Sequence, residues 1–508
     1  MDGREAVALS AMGDVGPWQV KIFLLMALLK FPTAWTLLGL IFMGAPVPFT
    51  CTGSEEQCTD SHGDKCTHWT YNRTVFKETI TTEWNLVCDH KQLTNLSQMT
   101  FMIGIMIGTF TFSMASDRFG RKGPLIFAGV LQLVTGVGSA FVPWYFGFLV
   151  LRFIQAIAVG GSMTISFVLC MEVLNGSWRT IMATLTHIPF NLGTIIMSVV
   201  AYYTREWRKF QLFISLPIVI ILAYWWLIPE SPRWLMAVGR DKEALAILEE
   251  AARQNKRKRP EKLPELKQDK REEEEEKPAE KVGILGLFRT PNMRKKTLVV
   301  WVNWSNVGLC FFGLEQYLSQ VGGNIFANVA ISSACIIPGV LASIYTMDKL
   351  GRRMTLFVGQ FVGAISCLII ILIPRSVAYA EWYKVGLATL GVTGVAVGFT
   401  TLYLYSTELF PTVVRNTGLG SGSMCARVGS MVAPFIASLD QVNPNIPAAM
   451  FGASSFIAAL LCLMLPETLN TILPVSLEDG EHFGKKNKKE TTNGTVNKAY
   501  SEDIVIES

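Results

Sequence analysis

The chain has 508 residues, half of them apolar and only 17% charged, with a mean hydropathy of +0.35. That is too apolar for a water-soluble protein of this length and places the chain in a bilayer. The net charge of +5 is spread along loops and forms no basic groove, so no nucleic-acid partner is expected.

A helix crossing the hydrocarbon needs about 20 mostly apolar residues, because no water is there to satisfy its backbone. Twelve such stretches are predicted, at 20–44, 95–115, 124–142, 147–171, 180–203, 210–229, 297–320, 325–346, 354–374, 382–406, 416–439 and 447–465. The first starts past residue 15, runs long and lacks a small-residue cleavage site, so a retained span and a cytoplasmic N-terminus are expected.

The polar segment 45–94 holds Cys51, Cys58, Cys66 and Cys88, an even set that fits two disulfides in any of three connectivities. The same segment carries the acceptor Asn72-Arg73-Thr74, which has meaning only outside the cell. Three further matches, at Asn175, Asn303 and Asn493, fall at cytoplasmic or membrane positions and are discounted.

After the second span comes Asp117-Arg118-Phe119-Gly120-Arg121-Lys122, cytoplasmic by the count of Lys and Arg near helix ends. Arg205, Arg208 and Lys209, on the opposite side, run against that count. Glu172 and Arg179 follow the fourth span, and Pro229-Glu230-Ser231 follows the sixth.

Between residues 230 and 296, the stretch Asp241 to Asn255 has apolar residues at helical spacing, Ala244, Leu245, Ile247, Leu248 and Ala251, and predicts an amphipathic helix on the cytoplasmic face. Lys256-Arg257-Lys258-Arg259, beside Glu272 to Glu276, reads as a solvated linker rather than a nuclear signal, and the stretch to Lys281 should be mobile. The tail after Leu477 is polar and is expected to be disordered.

The second half rewrites the first. Asp348-Lys349-Leu350-Gly351-Arg352-Arg353 repeats the loop motif, Glu408 and Arg415 repeat Glu172 and Arg179, and Pro466-Glu467-Thr468 repeats Pro229-Glu230-Ser231. Motifs recurring in one order at nearly one offset predict an internal repeat, six helices written twice. The expected fold is an all-α membrane protein of twelve transmembrane helices in two pseudo-symmetric six-helix bundles. Its parts are 1–229, with the extracellular loop 45–94, a cytoplasmic linker 230–296 with short helices, 297–466 and a cytoplasmic tail 467–508. Asp117, Arg121, Glu172, Arg179, Glu230, Asp348, Arg352, Glu408 and Arg415 are expected to pair between neighbouring helices as a latch, present only when the cytoplasmic side is shut.

This pattern resembles the major facilitator superfamily over nearly the whole chain. Within it the chain is similar to the organic ion transporter family of cation, carnitine and anion carriers. That likeness rests on the cysteine-bearing loop, on Thr82-Glu83-Trp84-Asn85-Leu86-Val87-Cys88, and on Tyr405-Ser406-Thr407-Glu408-Leu409-Phe410-Pro411-Thr412-Val413-Val414-Arg415-Asn416. The loop is short for the family and has fewer cysteines. The resemblance implies a multi-pass plasma-membrane carrier working by alternating access, with no cofactor or metal, and a monomer is expected.

Charged residues inside spans are costly and mark functional sites. Arg427, among small neighbours mid-way along the eleventh span, can hold a carboxylate, and the anion and carnitine branches are similar in carrying Arg there. Lys30 in the first span either lines the cavity or snorkels. Glu315 could bind a cationic group or belong to an outer gate, and His187 is a packing residue or a ligand. Aromatic walls hold flat or ammonium-bearing solutes. Trp304 with Phe311, and Phe399 with Tyr403, match aromatic pocket positions of the family. The eighth span, at Ile336-Ile337-Pro338-Gly339-Val340, lacks the charge that both classical branches tend to place there. The expected cargo is a small organic ion, anion or zwitterion (carnitine-like) ahead of cation. With no carboxylate at the midplane, exchange or facilitated diffusion is expected ahead of proton coupling. A membrane-embedded enzyme is the rival class, but the spans offer one histidine, no phosphate-binding loop and no nucleophile–base pair.

Overall fold

A computed structural model describes residues 12–13, 15–52, 58–59, 65–174, 178–257, 284–374, 379–471, 474 and 476–484. Most of the charged linker, the Asn175 and Asn493 acceptors and the end of the tail lie outside the described residues, as does the side chain of Arg179.

Among the described residues, helices fill all twelve predicted spans. They are α1 Pro17–Met43, α2 Cys88–Phe119, α3 Lys122–Ser139, α4 Tyr145–Val173, α5 Ile181–Thr204 and α6 Trp207–Leu227 in the first half. The second half has α7 Pro291–Leu318, α8 Ile325–Lys349, α9 Arg352–Leu372, α10 Ala380–Leu409, α11 Thr412–Asp440 and α12 Ile446–Cys462. Within α6, Pro217 removes a backbone donor, and Leu216–Ala223 tightens to a 3₁₀ helix.

In the first half α4 packs on α2 and α3, and α1 on α5; in the second, α7 packs on α11, and α9 on α10 and α12. Small residues allow this: a Cβ on Gly108 of α2 would lie 2.0 Å from the Ile157 carbonyl of α4. The halves meet along α5 against α8 and α2 against α11.

One face carries the cysteine loop. There β1 Phe49–Cys51 pairs antiparallel with β2 Trp69–Tyr71, and disulfides join Cys51 to Cys66 and Cys58 to Cys88, choosing one of the three connectivities. Lys65 donates to Asp89 at 2.7 Å, a hydrogen bond and charge pair on the exposed surface of the loop. The Thr82-Glu83-Trp84 motif then pins the loop to the helix ends. Trp84 packs edge-on or tilted among the rings of Tyr145, Phe148 and Trp207, while Glu83 accepts from Trp207 Nε1 at 2.6 Å and pairs with Arg208. The basic residues that run against the charge count are thus engaged: Arg208 by Glu83, Lys209 by Glu206, and Arg205 over the Tyr202 ring. On this loop face Phe326 of α8 inserts among Phe42, Phe76 and Tyr202 of the first half, at ring distances of 5.6, 5.3 and 5.6 Å, and plugs the seam between the halves.

The opposite, linker face is organised by helix Asp241–Gln254. Its Ala244, Leu248, Ala251 and Ala252 are buried, and Leu248, Ala251 and Ala252 join the core of the first half, so it docks on protein. Asn255 accepts from the Trp18 amide and donates to Met12 and Gln19, fastening the start of α1. The tail begins ordered, against expectation: helix Leu477–His482 opens with a Ser476–Asp479 capping box, and Glu481 accepts from the first amides of α7.

The duplicated motifs form duplicated clamps. Glu230 accepts the backbone N–H groups of Arg121 and Lys122 at the start of α3 (2.7 and 3.1 Å), and Glu467 accepts those of Arg352 and Arg353 at the start of α9 (2.8 and 3.1 Å). Each carboxylate fills a helix N-terminus, where unpaired donors and the helix dipole favour negative charge. Arg121 pairs with Glu172 (2.7 Å) and Asp117 (2.9 Å), and Arg352 with Glu408 (3.0 Å). These pairs stay within one half, so the expectation of pairs made only on closure is not met by them. Asp348 is exposed with no ion pair among the described residues, and Arg415, whose Nε has no hydrogen-bond partner, does not pair with Glu408.

Both clamps need a glycine. Gly120 (φ 92°) and Gly351 (φ 88°) adopt backbone angles that strain any other residue, and a Cβ would lie 2.4 and 2.5 Å from the clamping carboxylate oxygens. Gly120→Ala and Gly351→Ala should each cost about 1–3 kcal/mol and lower the Tm in detergent. Gly123→Ala, where a Cβ meets nothing within 4 Å, should leave Tm unchanged or raised.

Candidate substrate site

Deep in the bundle the four expected aromatics form one cluster. Helical spacing places Trp304 and Phe311 on one face of α7, and Phe399 and Tyr403, four apart, on one face of α10. Trp304 packs edge-on against Tyr403 (4.7 Å) and Phe399 (5.7 Å), and Phe311 lies 6.4 Å from Phe399. Trp304 is fully buried, so it is the floor of the cluster rather than its wall. Its indole N–H donates to Ser406 at 3.0 Å, and Gly422 of α11 leaves room for the ring. Phe311, Phe399 and Tyr403 are half-buried.

The first half closes the cluster from the other side. His187 of α5 meets Phe399 edge-on at 6.1 Å, and Phe167 of α4 lies 6.4 Å from Tyr403. Lys30 of α1 lies near His187 and the Cys170 thiol, and Arg427 of α11 lies near Tyr403. Lys30 and Arg427 are both half-buried, and neither has an ion-pair or hydrogen-bond partner among the described residues. The structure thus brings Lys30, His187, Trp304, Phe311, Phe399, Tyr403 and Arg427 together across the seam. Glu315 is elsewhere: it is 1% exposed, bonded to Ser332 of α8 at 3.1 Å, and is not part of the aromatic cluster. A separate cleft of about 50 Å³, room for a few waters, lies nearer the loop face between Leu37, Gln98, Phe312, Gln316 and Pro434.

Two residues outside the sequence-based set stand out. Phe167 carries no charge or motif to separate it from its apolar neighbours in α4. Arg152 is detectable as a lone guanidinium inside a span; it is 1% exposed, lies 4.5 Å over the Phe101 ring, and leaves Nε and Nη2 without a hydrogen-bond partner.

Residues 36–473 match the family model described as "Sugar (and other) transporter". The chain is 33% identical to the fruit fly Drosophila melanogaster "Organic cation transporter protein", covering 94% of each. It is 30% identical to human "Solute carrier family 22 member 13", covering 93% of this chain and 92% of that protein. The chain belongs to this transporter family. Its fold superposes on the inward-open xylose transporter XylE of E. coli with a TM-score of 0.65 at 18% identity, covering 92% of this chain and all of XylE, a likeness of fold alone. The protein is therefore a multi-pass membrane transporter of major facilitator architecture, within the solute carrier 22 group of the family, and not an enzyme.

In this transporter the floor of the cluster hangs on one hydroxyl. Ser406→Ala leaves the Trp304 N–H unpaired in a dry site, at about 1–3 kcal/mol. A lower Tm and a raised KM for uptake are expected, with Ser406→Thr, which keeps the hydroxyl, closer to wild type.

Proposed function

We propose that this transporter carries small organic anions or zwitterions bearing a carboxylate, bound between its halves and released by alternating access. One observation carries the reading: two unpaired cations, Lys30 from one half and Arg427 from the other, flank an aromatic cluster that contains no acid. A cation inside the membrane without a partner is costly, and a bound carboxylate supplies the missing charge. The guanidinium can take it in two parallel hydrogen bonds, while Phe311, Phe399 and Tyr403 cover the apolar body. His187, against Phe399, completes the wall. The Glu230 and Glu467 clamps, with Asp117, Arg121, Glu172, Arg352 and Glu408, hold each half as a rigid unit, and the exposed Asp348 takes no part in them. Arg415, which does not pair with Glu408, is left as a charge able to act on the moving seam, while the side chain of Arg179 lies outside the described residues. A single chain supplies both walls of the site, so the monomer is the working unit.

Organic cations are the second reading. The relatives from Drosophila melanogaster and Caenorhabditis elegans bear the name organic cation transporter, and aromatic faces attract ammonium groups. Proteoliposome uptake of labelled carnitine, glutarate, urate and tetraethylammonium, on wild type and Arg427→Ala, separates the two. The anion reading expects Arg427→Ala to cut carnitine or anion uptake by tenfold or more, the worth of about 1.4 kcal/mol, and to spare tetraethylammonium. Loss of cation uptake alone would overturn it. Acceleration by preloaded counter-solute is expected, as for a carrier and not a channel.

The proposed address is the plasma membrane, with the loop face outside and both termini inside. The disulfides need an oxidising compartment, and Asn72, exposed on that face with its side chain accepting from the Thr74 amide at 3.1 Å, is offered for glycosylation. Expressed in animal cells, the wild type should shift in mobility on glycosidase treatment, and Asn72→Gln should not.

A further inference from the structure

Glu315 is a buried acid that substrate binding, as proposed, does not use. It lies on α7, 1% exposed. One carboxyl oxygen accepts from Ser332 Oγ at 3.1 Å; the other has no hydrogen-bond partner, and no cation among the described residues pairs with it. A lone carboxylate in a span must be neutralised to remain there. A metal cation would need a shell of oxygen ligands, and Ser332 is the one side chain bonded to the acid, with no metal-binding group of acids, histidines or cysteines among the described residues. A proton needs one bond.

Position gives this acid a task. Ser332 is six residues past the plug residue Phe326 on α8, about 9 Å deeper at 1.5 Å per residue, and Phe311 of the aromatic cluster is one turn deeper than Glu315 on α7. The acid therefore sits between the loop-face plug and the substrate cluster. Gln316, next in the chain, lines the cleft at the seam with Thr94, Gln98, Ser319 and Gln320, a polar path toward the loop face. From the helices packed on α7, the group bonded to Glu315 is Ser332 of α8; among the described residues no charged side chain of α8, α10, α11 or α12, Arg427 included, forms an ion pair with it.

We propose that Glu315 is a proton-binding site of this transporter, loaded when the plug opens and emptied when the opposite face opens, so that a proton gradient drives accumulation. This goes beyond the reading of substrate charge and does not rest on it. It also departs from the exchange or facilitated diffusion expected from sequence, which found no carboxylate at the midplane and placed Glu315 toward the outer end of its span.

The test uses the full chain in proteoliposomes, with membrane potential clamped by potassium and valinomycin and with labelled glutarate and labelled tetraethylammonium as an anionic and a cationic probe. With the loop-face side one pH unit more acidic, wild type should accumulate the probe it carries up to about tenfold at one proton per solute. Glu315→Gln should retain exchange of labelled for unlabelled probe but lose accumulation, and Glu315→Asp should keep part of it. Infrared difference spectra across a pH step should show a protonated-carboxyl band in wild type that Glu315→Gln lacks. Wild type indifferent to the pH gradient, accumulation by Glu315→Gln equal to wild type, or a sodium gradient substituting for the proton gradient would each overturn the assignment. If Glu315→Gln fails to exchange, the wild-type gradient response and the infrared band of Glu315→Asp decide. Which of the two probes is carried judges the substrate reading separately.

Discussion

A carboxylate on the first amides of a helix is the interaction on which this architecture turns. Glu230 and Glu467 each tie the end of a half's last helix to the start of its third, and each does so through backbone donors that the helix itself cannot satisfy. Because the acceptor is charged and partly buried, the bond is of the strong class. Because it reaches the backbone, it fixes helix position and not merely side-chain position. Arg121 and Arg352 then bring in the fourth helix of each half through Glu172 and Glu408. Three helix ends in each half are locked by a handful of residues, and the lock is written once per half. The glycines at the turn are part of it, since the carboxylate occupies the space a side chain would need.

Rigid halves put all the softness at the seam. The contacts that cross it are of a different kind: an aromatic plug at the loop face, helix against helix along α5–α8 and α2–α11, and rings meeting edge-on at the cluster. Ring contacts are weakly directional and worth about 0.5–1.5 kcal/mol each beyond their burial, so the seam can open one layer at a time without breaking a buried ion pair. The proposed site straddles it, with one cation on each side. A solute that bridges Lys30 and Arg427 would bind best when both walls are close, and differential binding of that kind shifts an equilibrium between open and closed forms.

Much of this was legible from the chain. The twelve spans, the repeat and the cysteine loop follow from apolar runs and motif spacing because the bilayer leaves the backbone few options. The aromatic cluster was expected from the family resemblance, whose pocket positions Trp304, Phe311, Phe399 and Tyr403 match; the spacings of four and seven placed each pair on one helical face. Spacing could not reveal that Trp304 is the floor and Phe399 the wall, since both share a face with apolar neighbours and depth is set by the helix opposite. Phe167 was invisible for the same reason. The partners within the duplicated motifs were not legible: Glu408 sits seven residues from Arg415 and yet pairs with Arg352, because the turn before α9 brings that guanidinium nearer than sequence distance suggests. The short tail helix was missed because its polarity, which reads as disorder, is spent on its own Ser476–Asp479 capping box and, through Glu481, on capping α7.

The distribution of charge divides the molecule by role. Paired charges sit at helix ends and stay within one half, where each partner offsets the other's desolvation and the gain is rigidity. Unpaired charges sit deeper. Arg152, within the first half, rests on the Phe101 ring, which supplies part of what a carboxylate would. Lys30, Arg427 and Glu315 lack even that, and all three lie close to the seam. A charge buried without a partner carries a desolvation cost that an apolar side chain of similar volume would not. Charges kept without partners in the one region that must open and close are best understood as half of an interaction whose other half is mobile, supplied by what the protein carries.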